Sequence, residues 1–189
     1  MAWDTEATRR KLLDAGARQF AAHGFAGGHL DAIGRDAGVN KERVYRYFGD
    51  KQGFFAAVLA DRLDGVLDTA PPDGSGPEAI GAYAGSLFDR LADAPDLARL
   101  LAWESLELPA AASSEHREQT CATMSAAIRA ALPGASLADA EQLLLSAIAL
   151  VTAWWTLSAL SGVVLTTAQQ HSERREVIVR QVTQLAAAL

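Results

Sequence analysis

The chain is short of several residue types. It has one cysteine, Cys121, so no intrachain disulfide can form and a disulfide-stapled secreted scaffold is excluded. Its four histidines (His23, His29, His116 and His171) have no metal-ligand spacing. There is no P-loop, no glycine-rich dinucleotide turn and no nucleophile elbow, and no cofactor is expected. No stretch alternates apolar and β-branched residues with polar ones long enough to make a strand. The opening residues Met1-Ala-Trp-Asp-Thr-Glu6 offer neither a basic nor an apolar leader segment, which predicts a cytoplasmic protein. Lysine is scarce, and all three copies (Lys11, Lys41 and Lys51) lie within residues 1–51.

What is present is apolar and helical. Half of the 189 residues are hydrophobic, enough for a sizeable core and too many for a disordered chain. The net charge of −6 argues, taken whole, against a nucleic-acid partner. The charge is uneven, however. Residues 1–51 carry 9 Lys+Arg against 7 Asp+Glu, and residues 52–189 carry 8 against 16. A mildly basic head precedes an acidic body.

Punctuation divides the chain into helices. Leu13, Ala17 and Phe20 repeat at helical spacing up to Gly24, a residue type that ends helices. A short helix is expected from Leu30 to Ala37, stopped by Gly38, and a second from Asn40 to Phe48, with Asn40 as its N-cap. Asp50 can cap a longer helix reaching about Asp68. Beyond the Pro- and Gly-rich stretch 71–77, helices are expected at about 77–93, 96–108, 114–132, 136–165 and 172–188. The expected fold is all-α in two domains. A three-helix domain is expected over 1–51, and a larger helical domain over 52–189.

The segment Leu30 to Phe48 has the layout of a helix-turn-helix. Apolar Leu30, Ile33, Ala37, Val39, Val44 and Phe48 face inward. Gly38 stands at the tight turn, and Gly34 and Ala37 are small enough for close crossing. The second helix keeps Lys41, Glu42, Arg43, Tyr45, Arg46 and Tyr47 for its exposed positions, a basic face with aromatic rings suited to a major groove. A helical hairpin with a solvated charged face has the same spacing.

Residues 8–59 resemble the DNA-binding domain of the TetR family of bacterial transcription regulators. The resemblance rests on Leu12-Leu-Asp-Ala-Gly-Ala-Arg-Gln-Phe-Ala-Ala-His-Gly-Phe25, Ile33-Gly-Arg-Asp-Ala-Gly-Val39, Val44-Tyr-Arg-Tyr-Phe-Gly-Asp-Lys51 and Phe54-Phe-Ala-Ala-Val58, in that order. It implies base contacts from the recognition helix and phosphate contacts from its surroundings. Lys41 and Arg43 occupy the early, groove-facing part, and Arg43 is the preferred base reader because arginine pairs bidentately with guanine. Tyr45, Tyr47 and Lys51 match phosphate contacts, Lys51 at a helix N-terminus. Arg46 suits either role, and Tyr45 could instead pack on the first helix. Asn40 adjoins this surface. His29 stands where the family usually has Ser or Thr, and would donate to phosphate best when protonated. Glu42 stands where the family commonly has a small residue. It either reads a cytosine amino group or pairs with Arg46 four residues on, the pairing being favoured.

Residues 142–172 contain no Asp, Glu, Lys or Arg, a run long enough to cross a membrane. Its Ser and Thr content and two apolar stripes argue for a buried helix instead. One stripe is Leu144, Ile148, Val151 and Trp155; the other is Leu143, Ala147, Leu150, Trp154 and Leu157. The last helix adds Ile178, Val182, Leu185 and Leu189. In the TetR family the last two long helices pair across a two-fold axis as a four-helix bundle. The resemblance therefore implies a homodimer held by Leu143, Ala147, Leu150, Trp154, Leu157, Ile178, Val182 and Leu185. Such a dimer would read a pseudo-palindromic double-stranded operator, with no membrane partner.

Family members also bind a small-molecule effector in the C-terminal domain, which moves the linking helix and lowers DNA affinity. Candidate lining residues are Phe88, Leu100, Trp103, Glu104, Cys121, Met124, Ile128, Val151 and Trp155, each of which ordinary core packing would also explain. The expectation is a transcriptional regulator, most often a repressor in this family, and not an enzyme. The rival is a helical small-molecule-binding or enzymatic protein without DNA binding.

Overall fold

The computed structural model describes residues 2–67, 70–112, 114–167 and 170–189, without the side chains of 2–4, 65, 67 and 114–116. Among these residues there are ten α-helices and no strand. They are α1 (Ala2–Gly27), α2 (Leu30–Ala37), α3 (Lys41–Phe48), α4 (Lys51–Leu67), α5 (Pro77–Asp93), α6 (Pro95–Glu107), α7 (Ser114–Ala131), α8 (Leu137–Thr156), α9 (Ser158–Val164) and α10 (His171–Ala187). The expected end of the fourth helix at Asp68 and the side chain of His116 lie outside the described residues.

Two compact units result. The first comprises residues 1–65 and 94–114; the second comprises 66–93 and 115–189. The boundary thus falls after α4 has almost finished, not at residue 51, and the chain returns to the first unit for α6.

In the first unit, the inward positions of α1, α2, α3 and α4 supply fully buried Leu12, Leu13, Phe20, Ile33, Val44, Phe54, Phe55, Val58 and Leu59. The phenylalanines form a contiguous cluster. Phe20 meets Phe55 edge-on at 5.1 Å and Phe54 at 5.7 Å, and Phe54 meets Phe48 at 4.7 Å, within the range aromatic pairs prefer. Helix α1 is kinked at Gly24, whose φ of 75° and ψ of 179° break the helical run before one more turn closes at Gly27. Asp50 caps the start of α4 by accepting the Gly53 N–H at 2.7 Å. Helix α6 runs along α1. Trp103 Nε1 donates to the Ala21 carbonyl at 3.3 Å, and Glu107 accepts the Ala26 N–H at 2.8 Å, just past the kink.

In the second unit, α10 packs most extensively on α5, with α8 against both. Glycines make the α5–α10 approach possible. A Cβ placed at Gly85 would lie 2.8 Å from Val179 Cγ2, and one at Gly81 would lie 2.9 Å from the Val179 carbonyl. The core draws Ile80, Ala84 and Phe88 from α5, Ile128 from α7, Ala147 and Val151 from α8, and Ile178 and Val182 from α10.

The expected single helix over 136–165 is two helices. It begins with a capping box, Ser136 and Asp139 exchanging side-chain-to-backbone hydrogen bonds. It breaks at Leu157, whose φ of −110° and ψ of 31° leave the helical region. Thr152 Oγ1 donates back to Ile148 O at 2.8 Å and Thr156 Oγ1 to Thr152 O at 3.1 Å, hydroxyl-to-carbonyl bonds that bend helices. No Gly or Pro marks the break. Helix α8 is long and apolar enough to cross a membrane by length and composition, yet its Leu143, Leu144, Ala147 and Val151 are buried inside this unit.

Candidate nucleic-acid interface

The turn between α2 and α3 is built as its residue types require. Gly38 has φ 65°, a left-handed conformation that costs glycine nothing, and its N–H closes on the α2 carbonyls. Gly34 has no room for a side chain, since a Cβ there would sit 2.7 Å from the Val39 carbonyl. Asn40 caps α3, its Oδ1 accepting the Glu42 N–H at 3.4 Å. Val44 is the buried anchor of α3, so the polar positions around it turn outward. Lys41, Glu42, Arg43, Tyr45 and Arg46 are exposed, and Tyr47 is half-buried. Tyr45 is 50% exposed.

Each basic side chain has an intramolecular partner. Lys41 Nζ lies 2.9 Å from Asp31 Oδ1, across the turn. Their hydrogen bond raises the lysine above its ordinary range and holds the Asp31 carboxyl below its own. Arg43 reaches Thr8 on α1 at 3.5 Å, the outer limit of a hydrogen bond. The Arg46 guanidinium lies over the Tyr47 ring, 5.2 Å from its centroid, and donates to Tyr47 Oη at 3.4 Å. The favoured Glu42–Arg46 pairing therefore does not form; the adjacent ring holds the guanidinium instead. Lys51 opens α4 as expected, but its ammonium turns to the Ala26 carbonyl at 3.0 Å and sits 5.0 Å over the Phe25 ring. His29 is exposed at the N-cap of α2 and makes no capping hydrogen bond, as an imidazole in a Ser/Thr position should not. Between α2 and α3 lies a groove of about 390 Å³ lined by Asp31, Gly34, Arg35, Gly38, Asn40 and Lys41.

Sequence reasoning did not foresee the contacts of Asp31, Thr8 and Glu107. For Asp31 the signal was available, because a close helix crossing through Gly34 brings the first turns of α2 and α3 together. For Glu107 none was, because nothing local ties α6 to α1.

The expected effector-pocket residues are divided between the two units. Leu100, Trp103 and Glu104 fall in the first unit. Leu100 is core, Trp103 is bound to α1, and Glu104 accepts the Ala112 N–H at 2.6 Å, folding the chain back after α6. Phe88, Met124, Ile128 and Val151 are buried core of the second unit. Trp155 is half-buried and shares a cluster with Phe88 (4.9 Å) and His171, whose ring stands 4.5 Å from Phe88. Exposed Cys121 lines a groove of about 360 Å³ between α7 and α8 with Glu118, Ser125, Glu141, Leu144 and Ile148. Among the described residues no group of three His, Cys, Asp or Glu is arranged to hold a metal.

The expected dimer face also needs correction. Leu143, Ala147, Ile178 and Val182 are at most 5% exposed within the single chain and have no side-chain surface left for a partner. The reason is the glycine-smoothed face of α5, which takes up the stripe of α10. Leu150 and Trp154 are half-buried, while Leu157 and Leu185 are exposed. Other large apolar side chains this unit leaves in solvent are Leu137, Leu145, Leu160, Val163, Val164 and Leu189.

A basic, aromatic recognition helix held on a phenylalanine core by a glycine turn defines a helix-turn-helix DNA-binding head on an all-α body. Comparison with known proteins agrees. Residues 12–58 match the model of bacterial regulatory proteins of the tetR family, and residues 79–184 match the tetracyclin repressor-like C-terminal domain. The chain belongs to the TetR family. It is 38% identical over 104 residues to the HTH-type transcriptional repressor SCO4008 of Streptomyces coelicolor, covering 55% of this chain and 53% of that one. It is 28% identical over 113 residues to the repressor NicS of Pseudomonas putida, covering 56% and 51%. The chain spans about half the length of the curated relatives it matches. Among solved structures, SCO4942 of Streptomyces coelicolor superposes with a TM-score of 0.69 at 28% identity, covering 94% of this chain and 97% of that one. A TetR family regulator of Marinobacter aquaeolei gives 0.73 at 20% identity over 98% of both, which speaks for the fold alone.

Proposed function

We propose that this protein is a homodimeric, cytoplasmic repressor, released from a pseudo-palindromic operator by a small molecule bound in the second unit. The observation that carries the reading is the α3 surface, with Lys41, Arg43, Tyr45 and Arg46 in solvent around a buried Val44. Arg43 is assigned to a base edge, and Lys41, Tyr45, Tyr47, Lys51 and His29 to phosphates on either side. Lys51 would exchange the Ala26 carbonyl for a phosphate oxygen as DNA arrives.

The dimer reading is supported by the apolar side chains that α8, α9 and α10 leave exposed, Leu157, Leu160 and Leu185 among them, beside Leu150 and Trp154. Such a set on a monomer marks an association surface. Two heads related by a two-fold axis would read half-sites one helical turn apart. The effector reading is supported by the path of the chain. Helix α6 sits on α1 through Trp103 and Glu107, while the segments on either side of it, α5 and α7, belong to the second unit. A ligand that moves α5 or α7 pulls on the kink at Gly24 and hence on the head.

The test is a gel-shift with the DNA upstream of the protein's own gene, over a salt series. Salt-sensitive binding to that DNA, or to a sequence selected from a random pool, is expected; binding to neither would end the reading. Sedimentation should give a dimer at micromolar concentration.

A further inference from the structure

Among the described residues, the Asp31–Lys41 pair is the one place on the recognition surface where a carboxylate engages a cation assigned to DNA. The two side chains are 62% and 46% exposed and 2.9 Å apart. A pair so exposed adds little to folding stability. Its position gives it another consequence. Asp31 lies in the first turn of α2 and Lys41 in the first turn of α3, and both line the groove between those helices. A phosphate approaching the Lys41 ammonium meets a site already occupied by a carboxylate oxygen, and must displace it or share it.

We propose that Asp31 acts as an intramolecular phosphate surrogate, occupying Lys41 in the free protein and lowering its affinity for DNA of every sequence. The inference rests on the reading of α3 as the DNA-facing helix. Nonspecific binding is almost wholly the release of counterions by cations that reach phosphate. A lysine neutralised from within releases none until its own partner lets go. Asp31 therefore removes close to one cation from the electrostatic footprint of each head. The base contact assigned to Arg43 is untouched, since Arg43 has no carboxylate partner among the described contacts.

The experiment measures binding of the full chain to a random-sequence duplex between 50 and 200 mM salt, for wild type, Asp31→Asn, Lys41→Ala and the double variant. Thermal melts accompany each, and Asp31→Asn should melt close to wild type. At 50 mM salt Asp31→Asn should bind severalfold tighter, with a salt slope steeper by about one ion. Its advantage then falls roughly threefold by 200 mM. Lys41→Ala should bind more weakly, and adding Asp31→Asn to it should change nothing. Unchanged binding by Asp31→Asn overturns the proposal. So does weaker binding, which would mean that Asp31 orients Lys41 for DNA. An equal gain in the Lys41→Ala background also overturns it, because Asp31 would then repel phosphate without acting through Lys41. If Lys41→Ala binds like wild type, the lysine does not reach DNA and the proposal falls while the helix-turn-helix reading stands. No binding by wild type removes both.

Discussion

The two units use their exposed residues in opposite ways. The first puts charge in solvent around a phenylalanine core, and the exposed face of α3 is the surface proposed to meet DNA. The second exposes leucine and valine along α8, α9 and α10, and α8 and α9 carry only Asp139 and Glu141 as charges, so apolar character alone does not distinguish core from interface. A polar functional surface can be read from periodicity, because core packing would not put Lys, Arg and Tyr on one face. An apolar one cannot, because burial in the chain and burial between chains select the same residues.

The largest expected effect tests whether the units are separable. Phe20→Ala removes the centre of the head's aromatic cluster and should cost about 3–5 kcal/mol. DNA binding should disappear while sedimentation still reports the dimer. Loss of both would show that the two regions stand or fall together. Next, Arg43→Ala should weaken operator binding by about 1–3 kcal/mol and relax sequence preference, whereas Lys51→Ala should weaken binding to all sequences alike and flatten its salt dependence. A change in preferred sequence with Lys51→Ala would reverse that division. In the second unit, Ser136→Ala deletes the α8 cap and should cost about 1 kcal/mol in thermal stability, leaving operator preference as it was. The smallest effect is a pH dependence in the first unit. Partial burial pushes the Asp14 carboxyl up, but hydrogen bonds and charge from Arg62 and Arg10 outweigh this and hold it below the ordinary carboxylate range. A group depressed in the folded state stabilises above its unfolded value, and the gain is lost as pH falls through its folded value. Wild type should therefore lose its stability advantage over Asp14→Asn on acidification below about pH 4, as melts across pH would show.

These contrasts explain what was legible. Gly38, Asn40 and Asp50 are local devices, each set by the few residues around it, and the turn, the cap and the α4 start follow from them. The kink after Gly24 follows from the same glycine that signalled a helix end. The break at Leu157 was not legible, since two threonines four residues apart bend a helix only when their hydroxyls bond backward. Gly81 and Gly85 were read as nothing in particular, although they decide that α10 packs on α5, which turned an expected interface stripe into core. Trp103 and Glu104 looked like pocket residues because aromatic and acidic residues at helical spacing describe a pocket and a helix-to-helix contact equally well.

Helix α6 carries a practical consequence for anyone rebuilding this regulator from parts. The first segment of the head ends near residue 65, and a chimera built from a contiguous block would be cut there. Such a cut leaves behind the helix whose Trp103 and Glu107 hold Ala21 and Ala26, and strips α1 of its cover. A transplantable head is discontinuous: it needs residues 94–114 as well, so exchange of operator specificity between relatives is better done by grafting the surface of α3 than by moving a contiguous block.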